Sequence, residues 1–220
     1  YILNFYKFLK SKVKFNKNIK VLDIGCGRAN IISFLQRKHT FQNKPIGIDI
    51  IKNKNTKKNI IFKKIDAIKY LKKTDQKFDL ILIKQTIHLL KISEIKTLLV
   101  EMKKSLKPNG KILIFTLEPH KNEIPNFALM RLRLLKSLKR DKKILKFISK
   151  LYPKRIIKYF SYKVTISKKK YINMISKKFI STLLNLNKKQ IRTGINEINL
   201  KYKKDLNFND KLVCIIIKNN

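Results

Sequence analysis

The chain has 220 residues, 44% of them aliphatic, aromatic or cysteine, enough for a full hydrophobic core within one domain of ordinary size. No apolar run approaches the roughly 20 residues of a membrane span, and lysines scattered through residues 1–16 break any signal-peptide pattern, so a soluble cytoplasmic protein is expected. Against 13 Asp and Glu stand 54 Lys and Arg, a net charge of +41 that ordinarily argues for nucleic acid or an anionic surface.

Tyr1 to Val13 put Ile2, Phe5, Phe8 and Leu9 at helical spacing, which predicts a helix leaning on a sheet edge. Val21 to Ala29 then reads V-L-D-I-G-C-G-R-A: an apolar strand ends in an acid, breaks into a glycine-rich loop and enters the apolar-periodic helix Ile31 to Leu35. Gly25 and Gly27 can take backbone angles closed to other residues and admit a ligand close to the main chain, while the helix start offers N–H groups. The dinucleotide fingerprint G-x-G-x-x-G fails here, because Asn30 stands at its third glycine. Asp23 would repel a pyrophosphate but can accept hydrogen bonds from an ammonium group, so a ligand with a cationic end fits better. Cys26 in the loop and Cys214 in a late apolar strand make neither a disulfide framework nor a metal-binding spacing, so a reducing compartment and no metal are expected.

Pro45 to Ile50 predicts a second strand closed by Asp49, about twenty residues past the glycines, where a carboxylate can accept both hydroxyls of a ribose. Ile60 to Ile65 predicts a third, closed by Asp66 and Ala67, and Asp66 reads equally as the cap of a helix over Ile68 to Leu71. Lys77 to Lys84 is a continuous apolar run of the buried parallel type and leads into Gln85, Thr86, Ile87 and His88. The scarce acids are concentrated: Asp23, Asp49, Asp66 and Asp79 all fall at strand or loop ends.

Asp23 to Ala29 resembles motif I of the class I S-adenosylmethionine-dependent methyltransferases, commonly D/E-x-G-x-G-x-G, with the small Ala29 at the last glycine. The resemblance implies S-adenosyl-L-methionine as cofactor, its methionine end held by Asp23 and the main chain of Gly25, Cys26 and Gly27. It likewise implies Asp49 with Ile50 at the ribose and Asp66 with Ala67 at the adenine. In that family the end of the fourth strand faces the transferring methyl, which assigns Lys84 to the cofactor and Gln85 and His88 to the acceptor. His88 is the catalytic candidate, since histidine can orient an acceptor or take its proton near neutral pH; the alternative is plain packing.

Ser93 reads as the cap of a helix with Ile95, Leu98, Leu99, Met102 and Leu106 on one face, and Pro108, Asn109 and Gly110 as the turn into a fifth strand, Lys111 to Leu117. His120, at that strand's carboxyl end, is a further substrate-binding candidate. Between Asn126 and Phe160 a helical stripe of Phe127, Met130, Leu134, Leu135, Leu138, Leu145 and Ile148 runs beside Arg131, Arg133, Lys136, Lys139 and Arg140, with Pro153 as a break. In methyltransferases such an insertion covers the acceptor; a basic amphipathic helix can also lie on an anionic membrane or bind RNA. Ser167 opens a helix aligning Ile172, Ile175, Phe179 and Leu183, and Asn187 with Gln190 forms a capping box for a short helix ending near Gly194. Ile195 to Tyr202 and Leu212 to Ile217 are then the sixth and seventh strands, an antiparallel hairpin joined by Asn207 to Asp210.

The expected fold is α/β: a seven-stranded, mostly parallel sheet with a C-terminal antiparallel hairpin, helices on both faces and a helical insertion after the fifth strand. One domain spans 1–220, with a cofactor-binding core at 1–120, the insertion or lid at 121–187 and the hairpin at 188–220. The expected activity is in-line methyl transfer to a small-molecule acceptor, a lipid-like one being consistent with the apolar stripe. Nothing like N-P-P-Y follows the fourth strand, where I-K-Q-T stands, which counts against amino-group methylation of DNA or protein glutamine. RNA methylation and a non-catalytic fold that binds a partner through its basic helix are the alternatives. The charge itself is diffuse. Arg, the bidentate reader of phosphate and bases, occurs only at 28, 37, 131, 133, 140, 155 and 192, and the abundance of Lys, Asn and Ile over Ala has the look of nucleotide bias.

Overall fold

Short apolar runs, each closed by a turn and followed by an amphipathic segment, alternate along the first half of the chain. In the computed structural model, which describes residues 1–219, they become α1 (Ile2–Lys10), β1 (Val21–Ile24), α2 (Asn30–His39), β2 (Ile46–Asp49), β3 (Ile61–Lys64), α3 (Ala67–Lys73) and β4 (Phe78–Lys84). The chain continues through α4 (Ile92–Lys104), β5 (Leu106–Leu117), α5 (Ala128–Leu151), β6 (Ile156–Ile166), α6 (Lys168–Ser176), α7 (Lys188–Lys201) and β7 (Leu206–Lys218). The strands form one seven-stranded sheet in the order β3-β2-β1-β4-β5-β7-β6. The first five run parallel, with Leu22 of β1 opposite Ile46 of β2 and Ile81 of β4. β7 runs antiparallel to β5: the Asn109 N–H donates to the Asn219 carbonyl near the start of β5, and the Glu118 N–H to the Lys211 carbonyl just past its end.

Two compact units divide the chain. The first takes residues 1–116, 147–160 and the stretch from Val213 onward; the second takes 117–146 and 161–212. In the first, Leu22, Leu80, Ile81 and Ile83 are all but inaccessible, as strands covered on both faces must be. Strand order reverses between β1 and β4, so right-handed crossovers put the α1–α2 and α3–α4 pairs on opposite faces and leave a crevice at the carboxyl ends of β1 and β4. α1 rests on Phe115 of the inner strand β5 as well as on Phe160 of the edge strand β6, with Phe5 ring centroids 4.8 and 5.2 Å away.

The second unit has its own core, built from Phe127, Met130, Tyr171, Ile175, Ile191 and Ile198 among others, and the Tyr171 hydroxyl donates to the Pro125 carbonyl. Two of the predicted caps are here: Ser167 Oγ accepts the Lys170 N–H at 3.3 Å, and Asn187 and Gln190 exchange bonds of 2.9 and 3.0 Å. The helix after that box does not stop at Gly194. It continues to Lys201, so residues 195–202 are helix and coil instead of the sixth strand. Ile191, Gly194 and Ile198 form its buried face, and an added Cβ on Gly194 would lie 2.5 Å from the Phe127 ring. Glycine is there for close packing, not as a terminator. Gly194→Ala should therefore destabilise by about 1–2 kcal/mol in denaturant unfolding, overpacking outweighing the gain in helix propensity, and Phe127→Leu in the same chain should recover most of the loss.

The sixth strand comes instead from residues 156–166, inside the segment expected to be the helical insertion or lid, and Asn207 to Asp210 lie within β7, not in a hairpin turn. Smaller corrections concern helix and strand ends. α4 begins after Lys91, whose N–H donates to the Glu94 carboxylate, so Ser93 is inside the helix. Pro108, Asn109 and Gly110 lie within β5 as an irregularity of its register, Asn109 taking φ of 62°. On α5 the buried positions are Met130, Leu134, Leu138, Asp141, Ile144 and Ile148, while Leu135 is exposed and Leu145 half-buried. Phe179, expected on a buried stripe, is also exposed.

Candidate active site

The chemistry gathers where β1 and β4 end. Gly25 turns the chain out of β1 at φ of 69°, its N–H and that of Cys26 donating to the Ile48 carbonyl of β2 at 2.9 and 3.1 Å. Gly25 is confined further by Thr86, beyond β4: its Oγ1 lies 3.4 Å from the Gly25 carbonyl, and its side chain fills the space a Cβ on Gly25 would need. Gly27 is at φ of 53°, with open space where its Cβ would project. Ala29, at the position of the motif's last glycine, is left-handed as well, with φ of 56°, and immediately precedes α2. No side chain caps α2, so the amides of its first turn lack a capping partner beside the loop.

Asp49 braces the loop from the end of β2: Oδ2 accepts the Gly27 N–H at 2.9 Å and Oδ1 the Ile51 N–H at 3.0 Å. Each oxygen keeps a lone pair for a further donor. Behind the loop, Asp23 is almost fully buried, and no hydrogen-bond donor among the described residues reaches its carboxylate. Burial pushes its pKa up to about 7; the Lys84 ammonium works against that shift and Asp49 adds to it. A buried carboxylate that accepts no hydrogen bond from the protein is suited to a donor on a ligand, and a ligand can approach Gly27 where nothing stands within 4 Å of its Cβ position. Cys26 packs its Sγ over Gly47, and burial, then the charges of Asp23 and Asp49, hold its thiol well above the usual range. That thiol is no nucleophile. Asp23, Gly25, Cys26 and Lys84 line one cavity of about 360 Å³ together with Tyr1, Ile2, Asn30 and Ile31.

A profile of the family described as a methyltransferase domain matches residues 15–171, the stretch that carries this loop, β2 and the end of β4. The chain belongs to that methyltransferase family. It is a class I S-adenosylmethionine-dependent methyltransferase, and S-adenosylmethionine is its cofactor. Solved structures agree in fold across nearly the whole chain. A SAM-dependent methyltransferase from Archaeoglobus fulgidus is 22% identical, with a TM-score of 0.58, over 99% of this chain and 94% of that one. A putative methyltransferase from Bacillus halodurans shows 14% identity and a TM-score of 0.59 over 97% of each chain. A SAM-dependent methyltransferase from Geobacter sulfurreducens, solved with S-adenosylhomocysteine, shows 15% and 0.59 over 96% of this chain and 89% of its own. No protein of curated function matches.

The other residues singled out in the methyltransferase sequence are not among those lining this cavity. Asp66 ends the loop after β3 and caps α3, its Oδ1 accepting the Lys69 N–H at 2.9 Å, so the capping reading holds; Ala67 is the first residue of that helix. Asp66→Ala should cost about 1 kcal/mol, lowering the unfolding midpoint by a few degrees, and Asp66→Asn should restore it, since Asn caps as well as Asp. Ile50 is exposed beside Asp49. Gln85 sits at φ of 51°, a costly angle for a residue with a Cβ, and its N–H donates to the Phe115 carbonyl at 2.8 Å. His88 is half-buried in the short 3-10 turn Ile87–Leu89. His120 is exposed in the second unit, its N–H donated to Glu118, and is a candidate from sequence alone.

Sequence reasoning missed Thr86, which shapes Gly25 from 61 residues away, and the wall formed by Tyr1, Ile2, Asn30 and Ile31. Lys84 was named, but its setting was not: its Nζ lies 5.4 Å from the Tyr1 ring centroid and 5.8 Å from that of Phe5. Among the described residues no group of His, Cys, Asp and Glu could hold a metal ion, and no helix is long and apolar enough to cross a membrane.

Proposed function

We propose that this methyltransferase transfers the methyl group to a small-molecule acceptor in the cytoplasm, using the cavity at the ends of β1 and β4. The bound cofactor supplies a methyl already activated on a sulfonium, which leaves the protein to bind, align and exclude water. Asp23 then accepts from the ammonium of the methionine end, and the main chain of Gly25, Cys26 and Gly27 lies against it. Asp49, with Ile50 beside it, accepts from the ribose, and Asp66 and Ala67 border the adenine. Lys84 completes the cofactor's surroundings, while Gln85 and His88 face the acceptor, His88 orienting it or taking its proton.

One observation carries this reading: the buried carboxylate that lacks a donor and the open space at Gly27 occur together at the strand ends. A small acceptor is supported by Tyr1 and Ile2 of the α1 region, which wall the cavity beside the proposed cofactor residues. The test supplies methyl-labelled S-adenosylmethionine to the low-molecular-weight and RNA fractions of a cell extract. Label should enter the small molecules at a rate little changed between about 50 and 200 mM salt. Ribonuclease-sensitive label, formed at a rate that falls steeply over that range, would replace this reading with RNA methylation. Cofactor binding without transfer to either fraction would favour a non-catalytic role.

A further inference from the structure

At the other end of the sheet lies a cavity that shares no residue with the cofactor cavity, and with about 550 Å³ it is the larger of the two. The carboxyl ends of α4, α5 and β7 and the start of β6 enclose it, all within the first unit. Lys103, Lys154, Arg155 and Lys218 bring four cations to its lining, which includes no carboxylate, while Leu151 and Ile217 supply apolar wall. Lysines are common everywhere on this chain, but arginines are not, and Arg155 is held in a particular way. Its Nη1 donates to the Pro153 carbonyl at 2.9 Å, whereas its Nε is buried and has no hydrogen-bond partner among the described residues. With Nη1 held by its own chain, Nε and Nη2 are the donors left to grip two oxygens of one anion, and Nε, which has almost no accessible surface, is reached as the side chain turns toward the cavity. An unsatisfied buried donor costs free energy that such an oxyanion would recover, and the clustered cations lose their mutual repulsion in the same step.

We propose that this cavity is a second ligand site, which takes a small oxyanion, phosphate monoester or carboxylate, carried on an apolar body. The head group sits on the Arg155 edge among the lysines and the body lies along Leu151 and Ile217. The site is independent of the methyl-transfer reading, since neither its residues nor its chemistry involve the cofactor cavity.

The test is calorimetric titration of the whole chain with 1-naphthyl phosphate, 1-naphthoate, 1-naphthol and inorganic phosphate, with circular dichroism as the check on folding. A 1:1 complex is expected with 1-naphthyl phosphate or 1-naphthoate, the stronger of the two identifying the head group. Naphthol and inorganic phosphate should each bind at least about tenfold more weakly. Arg155→Lys keeps the charge but loses the two-donor edge and should also weaken binding about tenfold or more, and the exposed Lys154→Gln should weaken it severalfold. Binding by Arg155→Lys as tight as by the parent, or inorganic phosphate as good as the naphthyl compounds, would overturn the proposal in favour of diffuse attraction to a lysine-rich surface. Absence of binding by any of the four probes would overturn it outright.

Discussion

Asp23→Asn should make the ligand-free protein more stable and at the same time remove most of its affinity for S-adenosylmethionine. Burial raises the folded pKa of Asp23 to about 7 from its ordinary 3.8, so between those values the native state binds more protons than the unfolded chain. Stability therefore falls as pH rises through that window, and the full cost is present above about pH 7. Asparagine carries no charge to bury, and at pH 8 the variant should gain on the order of 2 kcal/mol, seen as a higher urea midpoint. The gain should shrink on acidification and vanish once the parent carboxyl is protonated in both states. For the cofactor the sign is opposite. An ammonium group binds the charged carboxylate, so parent affinity should drop toward tenfold per pH unit below about pH 7, while the weakened variant, about a hundredfold poorer at pH 8, should show no such dependence. A variant that loses stability at pH 8 would remove the unpaired buried charge from the account.

Gly25→Ala should cost about 3 kcal/mol, roughly 6–12 °C in midpoint for a chain of this size, and should abolish cofactor binding. Two separate penalties add. The left-handed angle, φ of 69°, is worth about 1–2 kcal/mol to any residue with a Cβ, and that Cβ would overlap Oγ1 and Cγ2 of Thr86. The second variant Thr86→Ala separates them: in the Gly25→Ala background it should recover the steric part of the loss and leave the backbone part. Gly27→Ala provides the contrast, because only its φ of 53° opposes a side chain and nothing stands in the way, so it should fold better than Gly25→Ala yet still obstruct the ligand.

The parallel half of the fold was legible because its signals are local. β1 and β4 are buried on both faces and read as apolar runs holding one acid each, and Asp66, Ser167 and the Asn187–Gln190 box announce helix starts through their own side chains. The edge strand β6 is different. Phe160 is its one fully buried residue, and lysine, serine and tyrosine occupy much of the rest, so no core-facing run marks it. Gly194 misled for a related reason: glycine commonly ends helices, and its use as a seat for the Phe127 ring depends on a partner 67 positions earlier, where nothing local points to it. At the site the acids and glycines were visible as residue types, and Asp23, Gly25, Cys26 and Lys84 do share a cavity. Thr86 behind Gly25 and the strained Gln85 were not visible, since both owe their position to the way β4 meets the loop after β1.

The most direct test of the central claim, that the loop after β1 and the acid ending β2 form the cofactor site, is isothermal titration of the purified protein with S-adenosylmethionine near pH 8, parent beside Asp49→Ala. Removing that carboxylate takes away the acceptors proposed for the ribose and releases the Gly27 N–H together. The account predicts one site in the parent and at least tenfold weaker binding in the variant, on the order of 1.4 kcal/mol or more. A folded parent that takes up no cofactor, or a variant that binds as tightly as the parent, would contradict it.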